Sequence, residues 1–143
     1  MRTTAREDAG DGARPRHTWT VRRVLDWAAG DFRRRGLASP RFEAELLLAH
    51  ALGVRRIELY TDIDRPLVAG ELAVYREAIR RRRSGEPAAY IVGAREFWSL
   101  ELAVSGDVLV PRPETESLVE ATLARARLER ALDLGTGSGA VAL

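Results

Sequence analysis

Cysteine is absent from the 143 residues, and so are lysine, asparagine and glutamine. Without cysteine the chain can form no disulfide, no thiolate nucleophile and no cysteine metal site, a usage expected of a reducing cytoplasm. All 23 basic residues are arginine, which reads as a genome-wide codon bias and warns against assigning a function to each one. Histidine is nearly missing: His17 and His50 lie far apart in sequence and are expected to be structural or solvated, with no metal bound. Charge of one sign is also lacking. The 23 arginines meet 21 acids for a net charge of +2, so the balance implies no direct nucleic-acid partner. No apolar run approaches the roughly 18 residues that cross a bilayer, and no membrane association is expected.

What remains is an ordinary globular composition, 45% hydrophobic and 31% charged. A single domain of this length would bury about two-thirds of its unfolded surface. Residues 1–17 carry Glu7, Asp8 and Asp11 among Arg, Gly and Pro without an apolar core. They read as a disordered tail, neither a signal peptide nor a transit peptide.

Residues 18–88 carry helical signals and are expected to form a small helical bundle. Val21, Val24, Leu25, Ala28 and Phe32 fall on one face of a first helix that Gly36 ends. Ser39 and Pro40 form a cap and first-turn pair, and Phe42, Leu46, Leu47 and Ala49 make the next apolar face before Gly53. A short piece at Ile57–Tyr60 follows. Leu72, Tyr75 and Ile79 then stripe a longer helix closed by Arg80–Arg83, where cations complement the helix dipole. A phosphate-binding patch is the alternative for that run.

The period changes after Pro87. Residues 89–110 read as a β-hairpin linker, with Tyr90–Val92 and the alternating Leu100, Leu102 and Val104 as strands, and a further short strand at Val108–Val110. From 111 onward, Leu118, Val119, Thr122, Leu123 and Ala126 share a helix face, and Ala131–Leu134 reads as a short buried strand. A glycine loop and a helix start follow. Helix, strand, glycine loop and helix open a doubly wound α/β domain, here incomplete.

The loop at 135–139 is the first candidate for chemistry. Gly135 allows a sharp turn, and Gly137 and Gly139 remove Cβ atoms so that a ligand can approach the main chain. A nicotinamide site would place its third glycine at position 140, which is alanine. The G-x-G-x-G spacing, with Asp133 two residues before the first glycine, is the form seen in S-adenosyl-methionine methyltransferases. A dinucleotide site and an unliganded structural turn remain alternatives.

The second candidate is "PRPETE", Pro111–Glu116. Its prolines stiffen a helix entry, and Glu114 and Glu116 suit the positive end of the helix dipole. Arg112, held between prolines and near the aromatic pair Phe97-Trp98, suggests one lip of a pocket.

The segment "GEPAAYIVGAREFWSLELAVSGDVLVPRPETESLVE" followed by "LDLGTGSGAVAL" closely resembles the release-factor glutamine methyltransferases of the HemK/PrmC type. The resemblance covers roughly residues 40–143, with 18–84 matching mainly in pattern. It implies α + α/β architecture: a substrate-docking helical bundle, a hairpin linker and, over 111–143, the start of a Rossmann-like methyltransferase domain. It also implies methyl transfer from S-adenosyl-L-methionine to the side-chain amide of the glutamine in the Gly-Gly-Gln loop of peptide chain release factors. Gly135, Thr136, Gly137, Ser138, Gly139 and Asp133 would bind the cofactor. Phe97, Trp98, Arg112 and Thr115 would line the pocket from the linker side.

The family orients its amide with an Asn-Pro-Pro-Tyr motif, which this sequence does not contain. The chain is therefore expected to be an N-terminal fragment cut after the first cofactor loop, to be inactive alone and to hold no catalytic residue. A cytoplasmic monomer is expected. The alternatives are a ribosomal-protein glutamine methyltransferase, a nucleic-acid adenine methyltransferase, and a non-catalytic module that docks a release factor.

Overall fold

The structure is a computed structural model that describes residues 18–125, 130 and 132–142. The expected tail at 1–17 and the expected positions of Ala126 and Ala131 lie outside the described residues. In chain order the helices are α1 (Val21–Arg34), α2 (Pro40–Leu52), α3 (Ala69–Arg83), α4 (Ala88–Val92) and α5 (Glu116–Leu123). Strands β1 (Ala94–Phe97) and β2 (Leu100–Ala103) lie between α4 and α5, and 3-10 turns cover Arg56–Tyr60 and Pro113–Thr115.

Local chemistry sets the helix ends. Thr20 caps α1, its hydroxyl accepting the Arg23 N–H at 3.4 Å. Pro40 opens α2, where its missing N–H costs nothing, while Ser39 makes no side-chain cap. Gly53 then ends α2 in the left-handed region at φ 64°. Glu71 in the first turn of α3 accepts the Val68 N–H at 2.9 Å, replacing a partner the helix cannot supply. The chain before α1 is tied back by Leu67 N–H to the Trp19 carbonyl at 2.8 Å and Arg22 N–H to Ile63 at 2.8 Å.

The α1 stripe expected from the sequence is the core: Val21, Val24, Leu25, Ala28 and Phe32 are all buried. They pack with Leu47 and Leu48 of α2, Tyr75, Ala78 and Ile79 of α3, Leu59 and Ile91. Fully burying side chains such as Phe32, Leu25 and Leu47 contributes about 1.5–3 kcal/mol each. Helix α2 sits centrally, in contact with α1, α3, α4 and the Arg56–Tyr60 turn. Covered on several sides, it buries Leu47 and Ala49 of the stripe read from the sequence together with Ala44, Glu45 and Leu48, while Leu46 is half-buried. Phe42 is 41% exposed, with the Arg56 guanidinium 4.8 Å from its ring centre.

Beyond Gly85 the hairpin forms, but its surroundings differ from expectation. β1 and β2 pair antiparallel, with Arg95 opposite Leu102, Glu96 opposite Glu101 and Phe97 opposite Leu100. Tyr90–Val92, expected as strand, belongs to α4. The Pro87 carbonyl accepts the Tyr90 and Ile91 N–H groups, and Gly93 stops the helix at φ 80°. Val108–Val110 is not a strand; it has no ladder partner among the described residues, and the Val108 carbonyl accepts the Tyr90 hydroxyl. Helix α5 forms over the expected stretch yet buries no residue, Leu118 and Leu123 being mostly exposed.

The buried strand expected up to Leu134 is a further correction. Leu132 and Leu134 lie outside any strand and are 82% and 84% exposed. An inner parallel strand needs neighbours on both edges, and no strand lies beside them among the described residues. The expected helix start after the glycine loop is a pair of tight turns instead, with Gly139 N–H bonded to Thr136 and Ala142 N–H to Gly139.

Candidate functional site

The glycine loop supplies the first part of the candidate site. Gly135, Gly137 and Gly139 have φ of 77°, 54° and 77°, the left-handed region that other residues enter at a cost. Three left-handed positions alternate with Thr136 and Ser138, so the chain turns repeatedly within five residues. Space is not the constraint, because a Cβ on Gly135 or Gly139 would meet nothing within 4 Å. The backbone from Asp133 to Gly137 is exposed and open to approach.

A groove of about 880 Å³ lies between α2, α4, the hairpin and the Leu109–Pro113 segment. Arg112 lines it, together with Phe42, Leu46, Tyr90, Arg95 and Leu109. Phe97, Trp98, Thr115 and the glycine loop do not. Of the residues expected on the linker side, the structure therefore brings only Arg112 to this groove.

Phe97 is fully buried, and Trp98 stands at the hairpin tip, 36% exposed. The two-residue loop Trp98-Ser99 has φ of 50° and 62°. Positive φ at both central positions marks a type I′ turn, which normally takes Asn-Gly. An aromatic and a serine there hold strain. The Trp98 N–H donates to Glu116 Oε1 at 3.3 Å, which ties the tip to the first residue of α5. Glu116 thereby acts as more than a helix-dipole acid. Thr115 closes the preceding 3-10 turn, its N–H bonded to the Arg112 carbonyl at 3.0 Å.

Two buried carboxylates, not singled out from the sequence, organise the bundle beside this site. Asp31 accepts from Arg83 of α3 through both oxygens and from Arg35 at 3.1 Å. Hydrogen bonding from Arg83 holds its carboxyl down at about 2, against the opposing pull of burial. Glu45 is pushed up by burial, but hydrogen bonds from the Tyr60 hydroxyl, Arg41 and Arg56 outweigh this and leave it below the usual carboxylate range. Asp31 was findable: it lies three residues after Ala28 on the buried stripe of α1, a place where a charge requires a partner.

The arginine run resolves in the same way. Arg80 pairs with Glu77, Arg81 with Glu86, Arg82 with Glu43 and Arg83 with Asp31. Four guanidinium groups already engaged with carboxylates are a poor phosphate patch. Arg83, Arg82 and Arg81 bind α3 to α1, to α2 and to the turn that follows, while the Arg80 pair lies within α3.

The profile of the PrmC N-terminal domain matches residues 23–93, which span α1 to the end of α4. The chain is 48% identical over 132 residues to a release factor glutamine methyltransferase from Rhodopirellula baltica, covering 87% of this chain and 45% of that protein. It is 45% identical over 126 residues to one from Geobacter sulfurreducens and 47% over 126 residues to one from Vibrio cholerae, in each case over 87% of this chain and 44% of the relative. The chain thus spans a little under half the length of the curated relatives it matches. With the helical bundle, the hairpin and the glycine loop in this order, the chain belongs to the release factor glutamine methyltransferase family.

Proposed function

We propose that the protein carrying these residues transfers a methyl group from S-adenosyl-methionine to the side-chain amide nitrogen of the glutamine in the Gly-Gly-Gln loop of peptide chain release factors. The observation that carries this reading is the left-handed backbone at Gly135, Gly137 and Gly139, in a chain whose relatives bear the name of that activity. The loop residues fit the donor: bare, exposed main chain lets its amino-acid end approach amide groups without meeting a Cβ. When bound, S-adenosyl-methionine supplies a methyl group activated on a sulfonium.

In this reading Gly135–Gly139 hold the donor on main chain, Asp133 supports the turn, and the loop opens a Rossmann-like methyltransferase domain. Trp98, Arg112 and Thr115 approach the acceptor from the linker side, and Phe97, buried in the hairpin, supports that wall without touching it. An amide nitrogen is a weak nucleophile because its lone pair is delocalised, so the contribution asked of these residues is orientation and exclusion of water. The 143 residues contain no asparagine and hence no Asn-Pro-Pro-Tyr motif. On that ground they are proposed not to catalyse transfer by themselves. The protein is proposed to act as a cytoplasmic monomer.

A docking role for the bundle has its own support. Trp19 and Trp27, 37% and 45% exposed, flank a notch of about 200 Å³ between α1 and α3 floored by Leu72, Tyr75 and Ile79. Exposed tryptophan beside arginine is the composition of an interface anchor. Calorimetric titration of the complete gene product with S-adenosyl-methionine and with a reduced nicotinamide separates the readings. Saturable binding of the methyl donor alone is expected, and binding of the nicotinamide alone would reject the assignment.

A further inference from the structure

Trp98 belongs to the tip between β1 and β2, whereas Arg112 and Thr115 bound the turn that enters α5. Their placement relative to one another must be set by a contact between two elements. Packing by α5 does not supply it, because that helix buries no residue. Among the described residues the hydrogen bond that joins the two elements runs from the Trp98 N–H to Glu116 Oε1 at 3.3 Å, with Glu116 half-buried at the first position of α5. The helix dipole accounts for an acid in that turn. It does not account for a carboxylate oxygen that accepts from another element.

The donor of this bond is a strained residue. Trp98 at φ 50° and Ser99 at φ 62° both occupy the left-handed region, which a residue with a Cβ holds only where its surroundings impose it. Strain of this kind gathers at functional sites, where it helps to aim a side chain. Because φ sets where the Cβ points, the direction of the exposed Trp98 indole follows this dihedral.

We infer that Glu116 is a positioning residue for methyl transfer: its oxygen holds the Trp98 N–H, keeps the tip left-handed and so sets the indole relative to Arg112 and Thr115. The inference rests on the methyl-transfer reading above. Glu116 itself touches neither donor nor acceptor in this role. What is required of it is hydrogen-bond acceptance rather than charge, so a glutamine oxygen can take its place.

The test compares Glu116→Ala and Glu116→Gln in the complete gene product with a release factor as acceptor. In Glu116→Ala kcat is expected to fall about tenfold, since a small displacement of a positioning group costs rate. KM for S-adenosyl-methionine stays within about twofold, and the unfolding midpoint stays at the parent value. Glu116→Gln is expected to recover kcat to within about threefold. Independently of turnover, the 143-residue chain labelled with 15N-tryptophan has three tryptophan amides, of which that of Trp98 is expected to move in Glu116→Ala and to return in Glu116→Gln. Parent kcat in Glu116→Ala, equal loss in both variants, a lowered midpoint accompanying the loss, or an unmoved Trp98 amide would overturn the inference. Each of these leaves the methyl-transfer reading standing. A complete gene product that does not methylate the release factor glutamine would reject that reading, and this inference with it.

Discussion

Asp31, in the last turn of α1, and Arg83, the last residue of α3, are joined by two parallel hydrogen bonds across 52 positions of sequence, Nε to Oδ2 at 2.8 Å and Nη2 to Oδ1 at 2.6 Å. The Asp31 side chain is only 7% exposed, so this fork is shielded from competing water on the carboxylate side. Arg83 also lies 5.5 Å from the Trp27 ring centre, which fixes the guanidinium from its other face. Removing one member leaves the other uncompensated. Asp31→Ala is expected to cost about 2 kcal/mol, read as a lower urea midpoint at neutral pH. A midpoint equal to that of the parent chain would contradict the role given to this pair.

The same pair sets an acid limit. The Asp31 carboxyl is lowered from 3.8 to about 2 in the fold, so the native state prefers the ionised form. A depressed carboxyl contributes stability above its unfolded value, and that contribution disappears as pH falls through the folded value. It is worth about 2 kcal/mol, complete above pH ~4 and lost towards pH ~2. Denaturation curves across this window should steepen their pH dependence in the parent chain and flatten in Asp31→Ala.

Tyr75 makes a buried hydrogen bond from its hydroxyl to the Ala44 carbonyl at 3.2 Å, linking α3 to α2. Tyr75→Phe leaves that carbonyl without its donor and is expected to cost about 1 kcal/mol. Burial also raises the Tyr75 phenol above its usual range. A raised acid contributes stability below its unfolded pKa and loses it as pH rises further. The parent chain should therefore weaken above pH ~10 by an amount that Tyr75→Phe abolishes.

The strained turn at the hairpin tip offers an opposite sign. Ser99 has a φ of 62°, and glycine takes that angle without the Cβ penalty. Ser99→Gly is expected to stabilise the chain by about 1 kcal/mol, seen as a higher unfolding midpoint. A lower midpoint would show that the serine side chain contributes more than the turn costs it.

How much of this could be read beforehand depends on how local its causes are. The α1 stripe from Val21 to Phe32 and the α3 stripe of Leu72, Tyr75 and Ile79 follow from one-face periodicity; all but the half-buried Leu72 are core. Tyr90–Val92 has the β-branched and aromatic composition that favours strands on average, yet it is helical. The deciding facts were Ala88, Ala89 and the left-handed stop at Gly93. On α2, Leu47 and Ala49 are buried as the stripe implies, and Ala44 and Leu48 are buried as well because three neighbouring helices cover α2, a non-local circumstance. Leu132 and Leu134 had the apolar character of an inner strand, but pairing depends on residues elsewhere in the chain. The groove beside the hairpin had one local signal, Arg112 held between prolines; its other walls come from α2, α4 and the hairpin, which no local pattern joins.

Mass spectrometry of a release factor incubated with S-adenosyl-methionine and the complete gene product reads the methyl acceptor directly. A mass increment of one methyl group on the glutamine side chain of the Gly-Gly-Gln peptide is expected, with none from the 143 residues alone. An unmodified glutamine alongside methylated ribosomal protein or nucleic-acid adenine would contradict it.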